Sequence, residues 1–196
     1  MVTIEQVWRR LFHTNGFWTK VLIGSALSVL IIPIPWTLGY IYRTAHRIKQ
    51  GLPEDLPDWD RWQELLLDGL KLLALALIWV GIPVLIGHFV SFILDAILPG
   101  FFAWVPAMLS WPLGLMLLGA ALYRFQNFES FKDALDLGLI FQMAVRTVNH
   151  SIIPLLASFG IVALLGPLAF ICGFIISLVI LAFFSSLYRA LEQGRL

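Results

Sequence analysis

The sequence predicts an all-α, polytopic transmembrane helix bundle, and three observations carry that prediction. Only 13% of the 196 residues are charged, against about 25% in a soluble domain. The mean hydropathy is +0.88. The apolar residues fall in long runs, separated by prolines and short charged segments. So little charge cannot clothe a water-facing surface, so lipid must cover much of the chain. The expected architecture has four spans, a Pro-broken re-entrant hairpin, interfacial amphipathic helices and an internal parallel repeat. All of it fits one integral membrane domain, 1–196.

Residues 1–16 read as an interfacial helix. Ile4, Val7, Trp8, Leu11 and Phe12 recur at helical spacing, with Glu5, Gln6, Arg9 and Arg10 opposite. Asn15-Gly16 then supplies a stop. Such a helix lies in the headgroup plane, apolar face down. The stretch lacks the early apolar run and A-x-A site of a signal peptide, so it is not read as one.

Residues 17–48 hold two apolar legs, 17–32 and 36–48, broken by "PIP" at 33–35. Proline removes a backbone donor and clashes with the preceding turn. Each leg has about 12 apolar residues, or about 18 Å at about 1.5 Å per residue. That is short of the roughly 30 Å of hydrocarbon a span must cross. The pair is expected to dip in and return. Four longer runs, 68–90, 102–124, 149–166 and 168–189, are expected to cross. A surface helix plus outward span occupies 62–100, and again 131–166; the inward spans are 102–124 and 168–189.

Charge placement favours this layout. With 17–48 as a hairpin, all 13 Lys and Arg residues lie on one side of the membrane. With 17–48 as a single crossing, Arg9, Arg10 and Lys20 move to the other side. Basic residues concentrate on the cytoplasmic side, so the hairpin is preferred and both termini are expected to be cytoplasmic. The implied location is a bacterial or archaeal inner membrane. Trp104 suits the outer aromatic belt, and Trp8, Trp18, Trp59 and Trp62 the inner one.

"WTLGYIYR" (36–43) lies against "WPLGLMLLGAALYR" (111–124), and "WQELLLDGL" (62–70) against "FKDALDLGL" (131–139). The unit is an inward helix ending in Tyr-Arg, a short surface helix, then an outward helix. A third Tyr-Arg, 188–189, ends the last span. The copies run in one direction, so they are parallel repeats. The tyrosines are expected at headgroup level, and the arginines are expected to snorkel to phosphate. Asp60 with Gln63, and Ser130 with Asp133, have capping-box spacing.

The stretches "FWTKVLIGSALSVL", "IPIPWTLGYIYRTAHRIKQG", "LPDWDRWQELLLDGLKLL" and "ALYRFQNFESFKDALDLGLIFQMAVRTVNHSIIPLL" resemble the membrane proteins of the domain-of-unknown-function 4013 family. The L-P-x-W-D core followed by D-G-L-K is the most specific element. The resemblance implies a polytopic prokaryotic membrane protein. It brings no reaction and no functional residues.

Candidate chemistry is sparse. Glu54, Asp55, Asp58 and Asp60 would suit a hard cation. The D-x-[DN]-x-[DN]-G calcium pattern is missing, and Arg43, Arg47, Lys49 and Arg61 stand nearby. An ion-paired, solvated loop is the better reading, and no metal is expected. Trp36, Arg43, His46, Arg47, Trp59 and Trp62 form the candidate contact set for lipid headgroups or a partner, although positive-inside anchoring explains the same charges. His88, with Ser91 and Asp95 on its face, is a candidate ligand histidine without a second His or Cys nearby. Asn149, His150 and Ser151 are read as satisfying backbone groups freed near Pro154. Cys172 is the only cysteine, which excludes an intrachain disulfide and CxxC chemistry. A net charge of +1 implies no bulk attraction to nucleic acid. No catalytic or cofactor motif is present, so neither catalytic residues nor a cofactor are expected, and the chain is not read as an enzyme. The expected function is a non-catalytic accessory or scaffold subunit of a larger membrane complex. Its partners would be membrane lipids and a membrane protein or a second copy. The alternative is lipid or small-amphiphile binding or transport in the cleft behind the broken hairpin.

Overall fold

The computed structural model describes residues 4–14, 16–30, 32–51, 56–98, 100–166 and 169–194. Asn15, Pro53, Glu54, Asp55 and Arg195 lie outside the described residues. Every regular element within them is helical: α1 (Ile4–Phe12), α2 (Phe17–Val29), α3 (Ile34–Gln50), α4 (Trp62–Ala76), a π turn (Leu77–Gly81), α5 (Ile82–Asp95), α6 (Phe101–Phe128), α7 (Phe131–Ala134), α8 (Leu137–Leu165) and α9 (Ala169–Glu192). Four helical stretches are long and apolar enough to cross a membrane: Trp62–Asp95, Phe101–Phe128, Leu137–Val162 and Cys172–Glu192. The chain is therefore a multi-pass membrane protein.

The prolines act where the sequence places them. Pro33 caps α3 at φ −80°, and Pro35 sits in its first turn, where a missing N–H costs nothing. Leu30, just after α2, is extended. The first surface helix differs from expectation. It runs without interruption into the span, and the irregularity comes later, at the π turn before Pro83. Proline cannot donate to the carbonyl four residues back and crowds it. Widening that turn relieves the conflict. The second expected junction, at Asn149–Ser151, is likewise uninterrupted within α8, and the chain breaks earlier, between α7 and α8. There the Asp136 carboxylate accepts from the Leu139 N–H at 3.1 Å. Ser130 occupies the cap of α7 without a side-chain cap bond, so the Ser130 capping box is replaced by an Asp136 cap one element later.

The described residues form two compact units, Met1–Leu73 with Ile153–Leu196, and Ala74–Ile152. In the first, α1, α2 and α3 all pack on α9. Leu178, Phe183, Phe184, Leu187 and Tyr188 of α9 are buried there. The apolar face of α1 is shared: Val7 and Leu11 are buried, while Trp8 stays exposed. Gly51 ends α3 in the left-handed region at φ +73°. Arg189 donates to the Ile48 carbonyl at 3.3 Å, and a Cβ on Gly51 would strike its guanidinium.

In the second unit, α5 and the π turn pack on α6. Pro106 and Ser110 would meet any side chain at Gly87, and Trp79 and Val80 any side chain at Gly114. The pairing of 87 with 106–110 and of 79–80 with 114 runs antiparallel. The buried Ser91 hydroxyl accepts the Ala107 N–H at 3.1 Å, and Trp79 Nε1 donates to the Ala134 carbonyl at 3.0 Å. Small residues that let backbones approach are how helices associate in lipid, where no hydrophobic force draws them together.

The tyrosines of the three Tyr-Arg pairs share one environment. Tyr42, Tyr123 and Tyr188 are buried in protein. Packing between helices claims their rings. Of their arginines, Arg43 binds carboxylates and Arg189 a helix C-terminus, while Arg124 comes only within 4.0 Å of the Asp133 carboxylate.

Candidate functional site

The densest polar constellation sits where α3 meets α4. Gly39 and Gly69 make the meeting possible. A Cβ on Gly39 would strike the Leu65 carbonyl, and a Cβ on Gly69 the Pro35 carbonyl. The relation is reciprocal, because Pro35 and Leu65 each lie one turn before the glycine of their own helix. Two backbones in van der Waals contact place the next turn of α3, at Arg43, directly against α4.

Arg43 meets three carboxylates: Glu64 and Asp68, which share one face of α4, and Asp60 in the segment just before that helix. Its Nε donates to Asp68 Oδ2 at 3.1 Å, and its Nη2 to Glu64 Oε2 at 3.1 Å. Its Nη1 lies 3.6 Å from Asp60 Oδ1. Arg61 pairs with Asp60 at 3.4 Å and Glu64 at 3.2 Å. Lys71 pairs with Asp68 at 3.2 Å and lies 5.8 Å above the Tyr42 ring. Three cations and three carboxylates thus neutralise one another. The Arg43 side chain is 12% exposed and Asp68 19%, whereas Glu64 and Asp60 are above half. Asp60 is drawn into this network through Arg43 and Arg61, a different use from the helix cap its spacing suggested.

The "LPDWD" segment just before α4 is clipped to the bundle. Lys20 of α2 donates to the Leu56 carbonyl at 2.7 Å and pairs with Asp58 at 2.8 Å. Trp59 Nε1 returns a bond to the Lys20 carbonyl at 3.0 Å. The Trp59 ring stacks on Tyr40, with centroids 4.2 Å apart and planes at 14°. Phe174 of α9 and Trp62 extend that cluster. Leu56 is buried beneath. The hydrogen bond from Lys20, then its charge, hold the exposed Asp58 carboxyl below the ordinary carboxylate value.

Of the sequence candidates, Arg43, Trp59 and Trp62 come together here. His46 is half-buried beside them on α3, with Gln50 Nε2 at 2.7 Å from its Nε2. Arg47 is exposed, and Trp36, three turns earlier, is half-buried. His88 belongs to the other unit. It is exposed and lies 2.8 Å from the Val84 carbonyl of its own helix, and Ser91, expected on its face, is buried against α6. No group of three His, Cys, Asp or Glu able to hold a metal occurs among the described residues. Sequence reasoning missed Lys20, Tyr40 and Phe174. Only Tyr40 carried a signal, as an aromatic one turn before Arg43.

Behind the chain break, a cleft of about 300 Å³ opens between Ser28, Ile34, Thr37, Leu38, Phe174 and Ser177. A second, apolar cavity of about 400 Å³ lies among α1, the end of α8 and α9.

No curated protein and no solved structure matches the chain. A family model described as a protein of unknown function, DUF4013, matches residues 23–182. That span takes in the Gly39–Gly69 crossing, the Arg43 network and most of the clip around Trp59. The chain belongs to the DUF4013 family of proteins of unknown function.

Proposed function

We propose that the protein is a non-catalytic accessory or scaffold subunit of a larger membrane assembly. The observation that carries this reading is the uneven burial of its spans. Inside the chain, 56% of the apolar window of Phe101–Phe128 and 67% of that of Cys172–Glu192 are buried, against 17% for Trp62–Asp95 and 22% for Leu137–Val162. Two spans thus offer most of their length to lipid or to a partner. Purification in mild detergent at native expression, with mass spectrometry of what accompanies the protein, tests the reading. A defined membrane-protein partner or a fixed multimer supports it; a solitary protomer in every detergent overturns it.

The layout proposed with this function is a re-entrant hairpin over 17–48, both termini cytoplasmic, in a prokaryotic inner membrane. The break at Leu30–Pro33 and the packing of both legs on α9 support the hairpin. In a Cys172→Ser background, single cysteines at Gln6 and Gln193 should label from the same side and one at Ala96 from the other; Gln6 labelling with Ala96 would overturn the hairpin. The parallel repeat has one further support. Glu64 and Asp133 align, and each faces the Tyr-Arg arginine of its own copy.

Amphiphile binding behind the hairpin is a second reading, favoured by the cleft at Ser28, Thr37 and Ser177. Filling it with Ser177→Phe should lower co-purifying lipid. Unchanged lipid content removes this reading.

A further inference from the structure

We propose that Arg124 holds the phosphodiester of an anionic membrane lipid, in the place where Arg43 holds carboxylates of its own chain. The contrast between the two arginines carries the argument. Laid on the first copy, Glu129 takes the place of Asp60, Asp133 that of Glu64 and Leu137 that of Asp68. Arg43 meets all three of its acids within 3.6 Å. Arg124 reaches Asp133 only at 4.0 Å. Glu129 pairs with no cation among the described residues, and the third position is apolar. The helix that presents the acids to Arg43 is continuous; its counterpart is broken between Ala134 and Leu137. Arg124 Nε is buried without a hydrogen-bond partner among the described residues, while 21% of the side chain stays open. Arg43 also keeps one unpartnered nitrogen, Nη1, but it donates two hydrogen bonds to carboxylates, whereas the Arg124 guanidinium has, among the described residues, only the 4.0 Å approach of Asp133.

The surroundings decide which acceptor fits. Phe128 covers the guanidinium at 4.7 Å. Phe128, Phe131, Leu135 and Leu137 are all exposed large apolar residues, and Lys132 between them is exposed. Arg124 stands in the last turns of a span, where the helix dipole also favours a cation. A free phosphate would use the two cations and leave the apolar residues bare. An acidic peptide would do the same. A phospholipid uses both, with its phosphate on Arg124 and Lys132 and its chains along the apolar residues. This inference does not rest on the scaffold reading, and the geometry at Arg124 stands even without the repeat.

The test is phosphatidylglycerol binding to the full-length protein in phosphatidylcholine nanodiscs, read by native mass spectrometry. Arg124→Gln should weaken binding at least about tenfold, the range of a charge-assisted bond. Asp133→Asn removes the competing carboxylate and should strengthen it. Arg146→Gln, an exposed arginine on α8, should leave it unchanged. Asp133→Asn keeps the test alive if Arg124→Gln fails to fold. Equal binding by folded Arg124→Gln, or weaker binding by Asp133→Asn, overturns the proposal. Displacement by millimolar inorganic phosphate would reassign the site to free phosphate, and displacement by a short acidic peptide to a partner protein.

Discussion

Replacing Arg43 with Met should be the most costly single change in the α3–α4 contact, and the structure ranks its parts. Met keeps the length of the side chain and removes the charge. The Arg43–Asp68 pair is mostly buried, at 12% and 19% exposed. Breaking such a pair from one side costs about 3–5 kcal/mol, because the other charge stays behind. Lys71 remains 3.2 Å from Asp68, which places the loss at the lower end, about 3 kcal/mol. Glu64 and Asp60 are more than half exposed, so their pairs together add about 1 kcal/mol or less. The total is about 3–4 kcal/mol. The double variant Arg43→Met with Asp68→Leu should recover at least half of it, since apolar groups replace a buried pair well. Unfolding from mild micelles by rising mole fraction of SDS, followed by circular dichroism, measures each variant. Asp68→Asn should cost more than Glu64→Gln or Asp60→Asn. If Arg43→Met lies within about 1 kcal/mol of the parent, or Asp60→Asn costs as much as Asp68→Asn, the reasoning from burial is wrong.

Gly39→Ala and Gly69→Ala each gain about 1 kcal/mol of helix propensity, yet each new Cβ meets a backbone carbonyl that cannot swing aside. Overpacking of about 1–3 kcal/mol should win, and the same unfolding assay should show net destabilisation; a stabilised variant would mean the helices part freely. Asp58→Asn should lower the melting temperature at pH 7. The Asp58 pKa is depressed in the folded state, so its stabilisation is present above about pH 4, the unfolded value, and fades as pH falls through the folded one. The gap between parent and variant should therefore close in acid, and a gap that widens there would refute the Lys20 clip. Trp59→Leu should keep the fold but open the segment, raising proteolysis near residues 56–60; unchanged cleavage rates would show that the Tyr40 stack does not hold it.

The candidate site was half legible. Arg43, Trp59 and Trp62 stand out in sequence because charge and aromatic rings are rare in so apolar a chain. Their partners do not. Lys20 looks like one more interfacial lysine, and Phe174 like one of 15 phenylalanines. Glu64 and Asp68 do stand four residues apart in a helical stretch, which announces a shared face. What crosses that face is a matter of which helix lies opposite, and local pattern does not record it.

Four span-length helices and the break at Pro33–Pro35 followed from the sequence alone, because hydrocarbon thickness and the missing proline donor are local constraints. The membership in DUF4013 was also carried by linear motifs. The tertiary structure alone decided that the Tyr-Arg tyrosines are buried and that Arg43 and Arg124, alike in sequence, live in unlike surroundings. Those outcomes depend on backbone approach at Gly39 and Gly69, on a helix that continues from Trp62 to Asp95 and on a break between Ala134 and Leu137. Distances between helices follow from small residues on two chains of contacts at once, so no single stretch of sequence contains them.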